Sequence, residues 1–210
     1  MASQETTQAA ACRLVLHEGA TDLVVLNFAS ARRVGGGFLR GANAQEEDLA
    51  RSSGLYRCLE TQPMYYRDNQ ASSSSLYTDN IIYAPGVPWF RSEDGQFLET
   101  PFTASIITAP APNAKEYLRK GTGDRSKLQD TLVRRSAYIL EVAAFHGHRS
   151  LLLGAWGCGV FRNNAETVAA TFMSHLKSRR YRGCFEQVVF AVFDPSKSKK
   201  TFNAFRGRVR

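Results

Sequence analysis

Two adjacent carboxylates and two glycine-rich runs are the parts of this 210-residue chain with chemistry to offer. Gly35-Gly36-Gly37 is followed, after seven residues, by Gln45-Glu46-Glu47. Three consecutive glycines cost folding entropy. They suit a loop whose backbone approaches a ligand closely and aims N–H groups at it, as phosphate-binding loops do; a flexible connector is the bland alternative. The acids also have a structural reading. Asn43 is a good N-cap with Glu46 three positions on, which predicts a capping box, and acids in a first helical turn offset the helix dipole. Successive helical residues point about 100° apart, so Glu46 and Glu47 cannot do the same job: one caps or binds while the other faces the cleft. A neighbouring acid raises a carboxyl's pKa and a helix N-terminus lowers it, so the pair's protonation stays open at this stage.

The second run, Gly154-Ala155-Trp156-Gly157-Cys158-Gly159-Val160-Phe161, follows an apolar segment and precedes a helical one. A strand, glycine loop and helix in that order place free N–H groups where a pyrophosphate can sit. The spacing is neither the dinucleotide fingerprint nor the P-loop pattern. Phe161 offers a ring face to a ribose or base, or else a core phenylalanine. Cys158, between glycines, reads as a small side chain in a tight place rather than a nucleophile. His146 and His148 lack an apparent third ligand, so no metal is expected, and Trp89, Tyr65 and Tyr66 read as core or rim.

The elements that must position these groups alternate along the chain. Helices are expected over Thr6–Leu16, Asn43–Leu59, Ser126–Gly147 and Ala165–Arg179, and strands over Asp22–Phe28, Asn80–Tyr83, Ser105–Ala109, Ser150–Leu153 and Glu186–Phe193. That alternation predicts an α/β sandwich with a mixed, mostly parallel sheet between helices, built as one domain over residues 1–210. In that class ligands collect at the loops leaving the C-terminal ends of the strands. Asn69–Ser75 reads as a polar loop and Lys197–Arg210 as a basic surface tail, frayed at its end. Lys and Arg number 27 against 19 Asp and Glu, a net charge of +8, which favours an anionic partner. Four scattered cysteines, Cys12, Cys58, Cys158 and Cys184, form no CxxC pair and read as reduced thiols of a cytoplasmic protein. No secretory signal or membrane-length apolar run is present, and no membrane partner is expected.

The run LNFASARRVGGGFLRGANAQEEDLARSSGLY resembles the macrodomain of poly(ADP-ribose) glycohydrolases, in particular the compact bacterial-type branch marked by GGG, a short spacer and QEE. SIITAPAPNA, LLLGAWGCGVFRN and VVFAVFDPS resemble the same branch, in the same order. The resemblance implies a macrodomain-like three-layer sandwich. It also implies an exo-acting hydrolase of the ribose–ribose O-glycosidic bond that releases ADP-ribose without metal or cofactor. Glu47 then matches the catalytic acid, protonating the departing ribose oxygen and afterwards activating water as a carboxylate. Glu46 matches the neighbouring acid that holds the ribose, and Asn27 a ribose contact. Gly35, Gly36 and Gly37 match the loop beside the scissile ribose, and Gln45 is grouped with these substrate-binding residues. Gly157, Cys158, Gly159 and Val160 match the diphosphate loop, and Phe161 the aromatic that orients the terminal ribose. The chain is expected to start at the fold's first helix, without the preceding strand, leaving Glu5 as a candidate on the adenine side. Expected partners are poly(ADP-ribose), ADP-ribose and ADP-ribosylated proteins, met by a monomer. A mono-ADP-ribosyl hydrolase and a non-catalytic ADP-ribose reader are the competing readings, and the intact QEE argues against the reader. A nucleic-acid-binding module lacks any motif of its own.

Overall fold

The computed structural model describes residues 1–119, 121 and 123–209. Its sheet is organised around β2 (Leu23–Phe28), the apolar run whose consecutive buried residues suit a strand covered on both faces. With β1 at Ala2–Ser3, β3 at Ile82–Arg91, β4 at Phe97–Ala109, β5 at Ser150–Gly154 and β6 at Gln187–Ala191, the six strands take the order β1-β6-β5-β2-β4-β3. β2 lies parallel to both β4 and β5, and β6 parallel to both β5 and β1. β3 alone runs antiparallel, as a hairpin with β4.

Alternation along β2 separates two cores. Leu23 and Val25 join Ala10, Leu49, Leu55, Leu59, Tyr65 and Trp89 on one face. Those residues come from α1 (Thr7–Cys12), α2 (Gln45–Ser52), α3 (Leu55–Glu60), α4 (Pro63–Ala71) and the hairpin. Val24 and Leu26 join Leu140, Trp156, Phe172, Phe190 and Phe205 on the other face. That face is covered by α6 (Arg125–Phe145), α7 (Ala165–Leu176) and α8 (Lys200–Arg208), with the short α5 (Ala114–Leu118) preceding them in the chain. A helix layer therefore lies on each side of a mixed, mostly parallel sheet, the expected three-layer sandwich.

Where the elements depart from expectation, tertiary pairing is the cause. The single helix expected over Asn43–Leu59 is two. Ser53 is extended at φ −144° and pairs with Trp89, while Gly54 N–H donates to Pro88 O at 2.9 Å, so the hairpin interrupts the helix. The strand expected over Asn80–Tyr83 continues to Arg91, its Pro85 and Pro88 tolerated because β3 is an edge strand. Its partner begins at Phe97 rather than Ser105. The polar stretch Asn69–Ser75 is helical as far as Ala71. Asn69 is buried there, donating to Tyr65 O at 2.8 Å and accepting from Thr78 N at 2.9 Å. A two-residue strand, Ala2–Ser3, pairs with β6 ahead of α1, where the sequence predicts none. The basic tail folds as α8, because Phe205 is fully buried and Asp194 accepts from Thr201 N and Phe202 N at the helix start. Arg210 lies outside the described residues. The helix expected over Thr6–Leu16 is α-helical to Cys12 and widens into a π-turn over Arg13–His17.

Candidate active site

Both glycine runs leave the C-terminal ends of neighbouring parallel strands, β2 and β5, so they stand side by side. Asn27 follows Leu23 and Val25 on the α2 side of the sheet and is fully buried. Gln45 fastens α2 to that strand end. Its Nε2 donates to Leu26 O at 2.8 Å and to Thr7 Oγ1 at 3.3 Å, and its Oε1 accepts from Phe28 N at 2.8 Å. The side-chain amide thus continues the strand's hydrogen-bonding edge, and Gln45 aligns the two acids that follow it rather than turning toward the cleft.

The expected capping box does not form. Ala44 is the N-cap and α2 starts at Gln45, which frees Glu46 for a different set of partners. Glu46 Oε1 accepts from Asn27 Nδ2 at 3.2 Å and Oε2 from Ser30 N at 2.7 Å, so both oxygens are engaged. Burial pushes its carboxyl up to about 8, and Glu47 adds to the rise while the Ser30 and Asn27 donors oppose it. Glu47 makes one bond among the described residues: Oε1 accepts from Gly37 N at 2.7 Å, leaving Oε2 without a protein partner. The adjacent acids therefore divide the work as their helical angle requires. Glu46 is tied into the strand end, and Glu47 keeps one oxygen for something else. Asn27 Oδ1 is likewise buried without a partner, while its Nδ2 is shared between Glu46 and Thr108 Oγ1.

The first glycine loop serves these acids differently from the expected row of free donors. Gly36 N–H is given to Arg33 O at 3.0 Å and Gly37 N–H to Glu47. What the loop contributes is a missing side chain. Gly36 has φ +64°, and a Cβ there would overlap Glu47 Oε1 and stand 2.9 Å from Glu46 Oε2. A Cβ at Gly37 would meet Ala42 at 2.7 Å, and one at Gly35 the Tyr56 ring at 2.7 Å. The loop is a close cover over the carboxylates.

The second loop keeps part of its N–H row free, although Cys158 N–H is given to Ala155 O at 3.0 Å. Among the described residues, the N–H groups of Gly159, Val160 and Phe161 have no acceptor in the protein. Trp156 roots the loop by donating Nε1–H to Ala109 O at 3.0 Å from full burial. Asn163 closes it, donating Nδ2–H to Pro112 O at 2.8 Å and to Gly157 O at 3.0 Å. Gly157, at φ +71°, leaves no room for a Cβ, which would overlap Ala111. Burial pushes the Cys158 thiol up to about 12, which suits a small filler and not a nucleophile. Val160 is exposed, and Phe161 is half-buried, packed in part against the second core. Ser30, Trp156 and Asn163 were not singled out from sequence. Asn163 carried a faint signal as the polar residue just before the Asn164 helix cap, and Ser30, which acts through its backbone N–H, carried none.

The remaining candidates have structural uses. Glu5 accepts from Arg13 Nη2 at 2.5 Å, so its carboxylate is engaged. His148 bridges Tyr83 OH at 2.8 Å and Asp22 O at 2.7 Å, and His146 stacks on Tyr83, at the β2 end remote from the carboxylates. Among the described residues no group of three His, Cys, Asp or Glu side chains is placed to hold a metal, the four cysteines are free thiols, and no helix is long and apolar enough to cross a membrane.

Comparison with known proteins agrees with this architecture. The family model for the microbial-type PARG catalytic domain matches residues 2–92. The crystal structure of poly(ADP-ribose) glycohydrolase from Deinococcus radiodurans in complex with ADP-ribose is 48% identical with a TM-score of 0.93, covering 100% of this chain and 83% of that one. The enzyme from Thermomonospora curvata bound to the inhibitor ADP-HPD is 45% identical with a TM-score of 0.91, covering 99% of this chain and 77% of that one. No curated protein matches. With that identity sustained from end to end and the GGG and QEE segments in direct contact, the chain belongs to the bacterial poly(ADP-ribose) glycohydrolase family.

Proposed function

We propose that this chain hydrolyses the ribose–ribose O-glycosidic bonds of poly(ADP-ribose) from the chain end and releases ADP-ribose. The observation that carries this reading is the unpartnered Oε2 of Glu47, whose Oε1 is held by Gly37 N–H under the close cover of Gly36, with a loop of free N–H groups leaving the neighbouring strand. In its protonated form Glu47 gives its proton to the departing ribose oxygen as the C–O bond breaks. The sugar left behind has oxocarbenium character. As a carboxylate Glu47 then takes a proton from water, whose oxygen forms the new bond to the anomeric carbon, and the acid is restored. One carboxyl thus serves both proton transfers, and the balance requires no metal or cofactor. Glu46 and Asn27 hold the ribose: Asn27 Oδ1 is a buried acceptor awaiting a hydroxyl, and Glu46 keeps the Asn27 amide and the Ser30 backbone in place. The diphosphate lies on the N–H groups of Gly159, Val160 and Phe161, where its charge also stabilises the cationic sugar. Phe161 faces the terminal ribose.

In this reading the whole chain is one catalytic unit acting as a monomer on polymer attached to proteins. The net charge of +8 supports a polyanionic substrate, and four free thiols support a cytoplasmic setting. Incubation with purified poly(ADP-ribose), followed by chromatography of free ADP-ribose, tests the proposal. Release of ADP-ribose with progressive shortening of the polymer is expected. Polymer bound but not shortened would contradict it, as would cleavage confined to single ADP-ribose groups on protein or nucleic acid.

A further inference from the structure

Among the described residues, three other than glycine have a left-handed backbone: Tyr77 at φ +63°, Arg162 at φ +57° and Lys199 at φ +46°. Two of the three border one side chain. Arg162 directly follows Phe161, and the Tyr77 ring lies 6.0 Å from the Phe161 ring, tilted by 46°. A Cβ is poorly tolerated at such φ values, where glycine suffers no clash. Strained positions of this kind persist where the surroundings over-determine them, and they gather at functional sites.

The surroundings of Tyr77 are over-determined. Arg135, fully buried on α6, donates to Leu76 O at 3.0 Å, Tyr77 O at 3.5 Å and Pro110 O at 2.6 Å, and pairs with Asp79 Oδ1 at 3.0 Å. Asn113 N donates to Ser75 O at 2.9 Å, and two residues on, Lys115 N donates to Phe161 O at 2.9 Å. The segment carrying Tyr77 and the loop carrying Phe161 are thus fastened to one connection, the one leaving β4. From the other side the Arg32 guanidinium lies 5.5 Å over the Tyr77 ring and donates to Ser72 O at 3.0 Å. Tyr77 nevertheless belongs to neither hydrophobic core. Packing stability does not account for a large ring at a position where glycine fits better.

We propose that Tyr77 is a positioning residue that holds the Phe161 ring at the orientation in which it meets the terminal ribose, with Arg135 and Arg32 fixing Tyr77 in turn. This rests on the reading of Phe161 as a ribose contact. A misplaced ribose costs turnover, because reaction depends on how closely the bond approaches Glu47. ADP lacks that ribose, so its affinity reports only the remainder of the site.

Two substitutions separate ring from backbone. Tyr77→Gly removes the ring and relieves the left-handed strain; Tyr77→Phe keeps the ring. For Tyr77→Gly we expect a melting temperature no lower than wild type and wild-type affinity for ADP. Its kcat on poly(ADP-ribose) should fall by at least about tenfold with a smaller change in KM, and its affinity for ADP-ribose should also fall. Tyr77→Phe should restore kcat. Should Tyr77→Gly fail to fold, Tyr77→Asn carries the same test, since asparagine tolerates this backbone. Wild-type kcat and ADP-ribose affinity in the ring-less variant would overturn the proposal. So would parallel loss of ADP affinity, ADP-ribose affinity and melting temperature, which marks a merely structural role. If wild type itself leaves the polymer uncut, the functional reading fails on its own, while the contrast between ADP-ribose and ADP affinity still decides the role of Tyr77.

Discussion

Gly36→Ala puts a single methyl where the structure has no space for one, and the atoms it meets decide what is lost. The Cβ would overlap Glu47 Oε1 and crowd Glu46 Oε2 at 2.9 Å. Non-bonded carbon and oxygen need separations of roughly 3.5 Å, so the Glu47 carboxylate must retreat by about an ångström. That end of the side chain is movable, and the fold survives. The stability cost comes mainly from forcing alanine to φ +64°, about 1–2 kcal/mol. At about 2–4 °C per kcal/mol for a chain of this size, the melting temperature should fall by about 2–8 °C. The catalytic cost is larger. The retreat breaks the 2.7 Å bond from Gly37 N and carries the proposed proton donor off its line to the ribose oxygen. A misplacement of about 1 Å is worth about 100-fold in rate, or about 2.7 kcal/mol of barrier. Initial rates of ADP-ribose release, measured well below the melting point of both proteins, separate the two costs. A folded variant that retains more than half the wild-type rate would refute the idea that Gly36 keeps space for the acid.

Two further outcomes follow from the same geometry. Burial holds the Glu46 carboxyl at about 8 in the folded chain against 4.5 ordinarily, so between those pH values the native state keeps a proton that the unfolded state has released. Stability therefore falls as pH rises through that window, by at most about 1.4 kcal/mol per pH unit, and levels off above it. Glu46→Gln should flatten the slope in denaturant titrations, with Asn27 turning its free Oδ1 toward the new amide; a slope as steep as wild type would show that Glu46 is not its source. Phe205→Ala should cost about 3–5 kcal/mol by chemical denaturation, because Phe205 lies fully buried against Phe190. A loss below about 0.5 kcal/mol would mean that α8 is not anchored by this ring.

Much of the architecture was readable because its signals are local. The apolar run at β2, the periodicity of α6 and α7 and the strand preceding the second glycine loop each lie in contiguous residues. The misreadings come from pairing that spacing along the chain does not reveal, some of it between distant segments. Ser53 leaves the helix because Trp89 stands opposite it, and Asn69 continues a helix because Thr78 and Tyr65 satisfy its amide. Lys197–Arg210 reads as a basic tail because one buried ring, Phe205, is a faint signal amid six cationic side chains. At the site, the structure brings the first glycine loop against the two acids singled out from residue types and reassigns how some of these residues act. Gln45 fastens a strand end, Gly36 acts by having no side chain, and Glu46 is bonded to the end of β2 instead of capping its own helix. Such roles depend on what lies within 3 Å in space, which spacing along the chain does not encode. Tyr77 is the extreme case, since its backbone angle becomes visible only in the fold.

In the proposed mechanism Glu47, with its one free oxygen, is the group that moves the proton, while Glu46 is a fixed part of the ribose cradle. Glu47→Gln keeps the shape and the acceptor for Gly37 N–H but cannot donate a proton as an acid. Release of ADP-ribose from purified polymer, measured beside polymer binding, tests the claim most directly. The variant should bind polymer with near wild-type affinity while its release falls by about 100-fold or more. A variant that binds and still releases ADP-ribose at the wild-type rate would contradict it.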